Sequence, residues 1–157
     1  MTEPNLTVDQ DGRAKAYRPL PEADRRAAFE AGLAAYRRRD FFAAHELLEP
    51  AWMGTADPSE RSLHQGLIKL AAAGVHAVRG NPLGLRKNLV GARARLASVT
   101  DGSPPDRPAD ASDWPAAATA RLDLAALVRA IDERLARIDA DPPGDLTDPP
   151  RLATRAR

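Results

Sequence analysis

The sequence predicts an all-α fold, a small helical bundle of four to five helices, and three observations predict it. Apolar residues recur at three- and four-residue spacing along most of the chain, stop signals built from Gly, Pro and Asp separate these runs, and no run shows a convincing period-two alternation. A first helix is expected from about Glu22 to Arg39, with Phe29, Leu33 and Tyr36 as its inward stripe. Asp40 can cap a second helix that begins near Phe41. Gly54 followed by Asp57-Pro58-Ser59-Glu60 marks a turn and a new start, with Asp57 and Glu60 at capping-box spacing and Pro58 at the favoured first position. The third helix, about 58–79, ends where Gly80 suits a left-handed stop and Asn81-Pro82 reopens the chain. It is apolar nearly all round, with Leu63, Leu67, Leu70, Gly74 and Val78 as one wall, so it is expected at the centre of the bundle. Its polar stripe of Arg61, Gln65, Lys69, His76 and Arg79 faces either water or another polar group. A fourth helix from about Pro82 to Val99 places Leu85, Leu89, Leu96 and Val99 on one side. A fifth, opened by Asp113 and Pro115 and reaching about Asp139, has Leu124, Val128, Ile131, Leu135 and Ile138 as its seam.

Length and composition bound what this bundle can be. The 157 residues suffice for one domain, expected over about 21–139. Before it lies a polar segment, about 1–20, expected to be disordered. A linker by composition falls at about 100–113, before the helix of about 114–139, and the proline- and charge-rich tail of about 140–157 is expected to be disordered. Lys plus Arg total 23 against 22 for Asp plus Glu, so the balance gives no electrostatic reason to expect nucleic acid or an anionic membrane as partner. The absence of cysteine removes thiolate nucleophiles and thiolate metal sites, leaving His, Asp and Glu as the strong ligands. No stretch has the apolar run of a signal peptide or a bilayer span, so a cytoplasmic location is expected.

The chemistry concentrates in Phe42-x-x-His45-x-x-x-Glu49-x-x-Trp52. At about 100° per residue these four side chains fall within about 80° of one another, which places an acid and an imidazole together on a face expected to be buried. A buried carboxylate needs a hydrogen bond, a cation or a proton. Gln65 and Lys69, on the third helix, lie at the right depth to answer it if helices two and three pack antiparallel. Pro50 lies inside the motif and cannot donate to the carbonyl of Glu46, which loosens the helix there.

The order Phe41-Phe42, His45-Glu46, Glu49, Trp52, then Arg61, Gln65-Gly66-Leu67-Ile68, His76 and Gly80-Asn81 resembles the bacterial and archaeal domain-of-unknown-function 309 family over about residues 29–97. The resemblance implies a small helical bundle and a suspected metal-binding or otherwise functional His-x-x-x-Glu-x-x-Trp motif, without an established reaction. Lys69 departs from the family pattern, where a second Gln is expected.

Three readings compete for the motif. His45 and Glu49 can offer a nitrogen and an oxygen to a divalent ion such as zinc, manganese or iron, with a third ligand from His64, Gln65, Asp40, Glu46 or a second chain. They can instead bind a small polar ligand, or work as acid and base, with Trp52 as the apolar wall and Gln65 as helper. Or the pair is a buried packing network that fixes the register of helices two and three, with Trp52 as core. On the third reading His64 is a surface residue and His76 bonds Tyr36 or water. No nucleophile accompanies the motif, so enzymatic activity has little support. The reading adopted is a metal or small-ligand site at His45, Glu49, Trp52 and Gln65, with a structural or protein-interaction module as the alternative. Self-association is left open, along the seam of the fifth helix.

Overall fold

Helix boundaries fall where cap chemistry puts them. In the computed structural model, which describes residues 6–10, 12–100, 122–140 and 150–152, the helices among the described residues are α1 (Glu22–Arg37), α2 (Phe41–Met53), α3 (Pro58–Val78), α4 (Pro82–Thr100) and α5 (Leu124–Ile138). The Asp40 side chain accepts from the Ala43 amide at 3.2 Å, and Asp57 accepts from that of Ser59 at 3.2 Å with Pro58 opening α3. Gly80 takes φ +68°, and Asn81 then accepts from the Gly84 amide at 3.1 Å at the head of α4. Successive helices pack on one another, and α3 sits between α2 and α4 as its all-round apolar pattern predicts. None of the helices among the described residues is long and apolar enough to cross a membrane.

The core is built from Phe29, Leu33 and Tyr36 of α1, Phe41 and Leu48 of α2, Leu63, Leu67 and Leu70 of α3, Leu85, Leu89 and Leu96 of α4, and Leu127 and Ile131 of α5. Two glycines let backbones approach where large side chains enter. A Cβ on Gly32 would collide with Leu48, and one on Gly74 would fall against the Phe41 ring. These sockets on α1 and α3 decide which side of α2 turns inward, with consequences for the motif described below.

Four expectations are corrected. The segment before Pro21 is not wholly loose: Thr7–Gln10 (β1) and Arg13–Ala16 (β2) form an antiparallel hairpin with Thr7 opposite Ala16 and Gln10 opposite Arg13. Gly12, between the two strands, adopts a φ of +74°, the left-handed conformation that a tight hairpin turn favours. Second, α5 starts at Leu124, because Asp123 turns back to accept from the Ala126 amide at 2.9 Å and Leu122 is not helical; the expected opening at Asp113 and Pro115 lies outside the described residues, as does the linker. Third, the tail is not free throughout. Pro150 is buried and its carbonyl accepts from the Tyr36 hydroxyl at 2.5 Å, while Leu152 packs on the core. Tyr36 is thus not the partner of His76, whose Nδ1 meets the Asn81 side chain at 3.2 Å. Fourth, the α5 seam is occupied within the chain, where Leu124, Leu127 and Ile131 are buried and the helix packs on α4.

Candidate functional site

The buried side of α2 carries Phe41, Ala44, Leu48 and Ala51, one residue out of phase with the motif. Both stripes offer an aromatic and helical spacing, so periodicity alone does not separate them. The Gly74 and Gly32 sockets take Phe41 and Leu48, and the motif is rotated by about 100° toward the surface. Phe42 is consequently 63% exposed, and His45 and Glu49 are only half-buried, correcting the expectation that they point into the core. Water can solvate the Glu49 carboxylate, so no partner is forced on it by burial.

His45 and Glu49 nevertheless remain together, and Glu46 joins them. One ligand atom from each of the three lies within 4.8 Å of the others, and His45 Nδ1 is 3.5 Å from Glu46 Oε1. Around a tetrahedral ion held at about 2.0–2.2 Å, neighbouring ligand atoms stand about 3.3 Å apart. The widest separation therefore needs to close by about 1.5 Å, within reach of rotamer changes in half-exposed side chains. One imidazole and two carboxylates suit a divalent ion and leave positions open for water or a further ligand. Pro50 leaves α2 helical through Met53, and the triad lies on the turn before it.

Trp52 and Gln65 are brought together elsewhere, by a residue the sequence reading left out. The Gln10 side chain, at the end of β1, reaches the junction of α2 and α3. Its Oε1 accepts from the Trp52 indole N–H at 3.3 Å and from Nε and Nη2 of Arg61 at 3.4 and 3.3 Å, while its Nε2 donates to Gln65 Oε1. Arg61 is 1% exposed, and its Nη1 donates to the carbonyls of Trp52 and Thr55 at 3.1 and 3.0 Å, tying the end of α2 to α3. The guanidinium also lies over the Trp52 ring, 5.0 Å from its centroid. Burial pushes its pKa down. Among the described residues no hydrogen bond joins Gln65 to His45 or Glu49, so the four expected site residues divide into two groups.

The buried acid–imidazole pair that the motif led one to expect exists one helix further on. Glu60 and His64 are 1% and 0% exposed, and Glu60 Oε1 lies 3.3 Å from His64 Nε2. Arg25 of α1 donates to both Glu60 oxygens at 2.6 and 3.3 Å, and the Thr55 hydroxyl donates to Oε2 at 3.1 Å. Glu60 therefore does not close a capping box, and His64 is not a surface residue. Burial raises the Glu60 pKa, but the hydrogen bonds and charges of His64 and Arg25 outweigh it and leave the carboxyl below its usual range. Burial lowers the His64 pKa against the opposing pull of Glu60. The signal was present in the sequence: Glu60-x-x-x-His64 places an acid and an imidazole at i and i+4, and Arg25 lies on the face of α1 that carries Phe29.

The fold and these clusters define a class: a small helical bundle with a half-exposed His/Glu/Glu group and a separate buried ionic network. Residues 29–88, from the middle of α1 into α4, match the family described as Domain of unknown function (DUF309). Neither the curated proteins nor the solved structures give a match to the chain.

Proposed function

We propose that this is a cytoplasmic divalent-cation-binding protein in which His45, Glu46 and Glu49 hold a zinc, manganese or iron ion at the surface of α2. One observation carries the reading: three side chains of metal-ligating type converge within 4.8 Å on a single helical turn. Glu46 supplies the third ligand that His45 and Glu49 lacked, in preference to His64, which is engaged with Glu60. Three protein ligands make a site that exchanges its ion and admits a fourth ligand from a small molecule or partner.

The test is elemental analysis of freshly purified protein followed by titration of the chelator-stripped chain with zinc or manganese. The expected result is one ion per chain, with binding lost in His45→Ala and weakened at least tenfold in Glu49→Gln while the fold is retained. Because the imidazole must be deprotonated to bind, affinity should fall as the solution is acidified. Absence of any stoichiometric ion, or equal binding by His45→Ala, rejects the site.

A protein-interaction module is the second reading, and a specific observation favours it. Phe42 and Val78, 63% and 74% exposed, line a hollow of about 270 Å³ beside the start of α2 with Val75, Arg39 and Arg79. The larger groove, about 630 Å³ between α3 and α4 around Lys69 and Arg95, includes neither the triad nor the Gln10 cluster.

A further inference from the structure

We propose that Trp52, Arg61 and Gln65 form a carboxylate-binding site, held in this chain by the side chain of Gln10 as a neutral substitute. It is independent of the α2 triad and rests on the geometry of the guanidinium. Nη1 of Arg61 is used by two backbone carbonyls, which leaves the Nε–Nη2 edge facing the Gln10 side chain. That edge carries two parallel N–H groups and matches the two oxygens of a carboxylate. Gln10 offers it one oxygen, which must also accept from the Trp52 indole, and all three bonds are long, at 3.3–3.4 Å. A carboxylate would give each N–H its own acceptor at about 2.7–2.9 Å.

Charge points the same way. Arg61 is 1% exposed, and among the described residues its acceptors are all neutral oxygens, since the nearby carboxylate of Glu60 is taken by Arg25, His64 and Thr55. A buried cation without an anion is a costly arrangement that an incoming carboxylate relieves. Gln65 can follow by rotating its amide, presenting N–H₂ to an anion where it now presents oxygen to the Gln10 amide.

The substitute is removable. Gln10 is carried on a two-stranded hairpin that pairs more with itself than with any helix, and such a hairpin has little stability of its own. Its backbone link to the helical body comes afterwards, where Arg18 and Leu20 donate to the carbonyls of Met53 and Gly54 at 2.9 and 3.0 Å. The hairpin can therefore lift while its base stays fixed, exposing the half-buried Trp52 and Gln65.

The experiment titrates sodium acetate into the full-length chain in a carboxylate-free buffer, following the Trp52 indole ¹H–¹⁵N resonance, with Trp114→Phe used to assign it. Saturable shifts are expected in Gln10→Ala at least fivefold tighter than in the wild type, abolished by adding Arg61→Gln, unchanged by His45→Ala, and weaker with acetamide. A second variant tests the same idea without added ligand: Gln10→Glu delivers a tethered carboxylate to the guanidinium, and should raise Tm by a few degrees at pH 7 and block the acetate response. No saturable acetate shift in Gln10→Ala, tighter binding of acetamide than acetate, or a lowered Tm in Gln10→Glu would overturn the proposal.

Discussion

Glu60→Ala is expected to lower the unfolding free energy by about 3–5 kcal/mol, the range for breaking a buried ion pair by removing one partner. The loss is large because Glu60 is the only described acid answering both Arg25, whose side chain is 14% exposed, and His64, at 0%. Removing it leaves a part-buried cation and a buried imidazole without their carboxylate, and frees the Thr55 hydroxyl that helps close the α2–α3 turn. Urea unfolding at constant pH measures it; a loss below 1 kcal/mol would mean that the network contributes no more than a surface pair. The same network sets an acid limit. His64 has a folded pKa below its ordinary 6.5, so the unfolded chain takes up a proton first and stability declines as pH falls below about 6.5. Glu60, depressed below its ordinary 4.5, adds a second loss below that pH as the unfolded carboxyl protonates before the folded one. In Glu60→Ala the second loss should vanish.

Phe29→Ala is expected to cost a further 3–5 kcal/mol or so on its own, as for a large aromatic removed from a packed core. The residue is 1% exposed, and its ring meets that of His64 edge-on with centroids 5.7 Å apart. It therefore fills core volume and also shields the Glu60–His64 pair from water. Truncation should do more than destabilise. With water admitted beside the imidazole, the burial that depresses the His64 pKa weakens, and the pKa should move up toward its ordinary range. Histidine ring resonances followed through a pH titration would register this. An unchanged His64 titration in a folded variant would show that Phe29 contributes packing alone.

Much of the bundle was legible because short-range chemistry determines it. Asp40, Asp57 and Asn81 act as caps and Gly80 as a left-handed stop, and each of these signals spans no more than four residues. The inward stripe of α1 was legible for a related reason, since Phe29, Leu33 and Tyr36 have no competing apolar face on the same helix. The phase of α2 was not. Phe41/Leu48 and Phe42/Trp52 are alternative stripes on one helix, and the choice between them is made by Gly32 and Gly74 on two other helices. A glycine in a helical sequence reads locally as a cost, and its value as a socket depends on what packs opposite. Glu60 was misassigned by a different competition, because acid three residues after Asp57 satisfies a local capping pattern while Arg25 and His64 draw it inward. Gln10 was hidden by its polar surroundings: the Asp11-Gly12 turn signal lies between strands too hydrophilic to suggest a packed hairpin.

The candidate site was thus half legible. His45 and Glu49 do share a face, as their four-residue spacing requires, and Glu46 stands beside them. That Trp52 turns from them toward Arg61 and Gln10 follows from tertiary contacts that no spacing encodes.

The central claim is that the α2 triad holds a divalent cation, and paramagnetic broadening tests it most directly. Substoichiometric manganese added to the ¹⁵N-labelled chain should broaden amide resonances around His45, Glu46 and Glu49 first, leave α5 sharp, and lose this selectivity in His45→Ala. Uniform broadening, none at all, or broadening centred on another part of the chain would contradict the account.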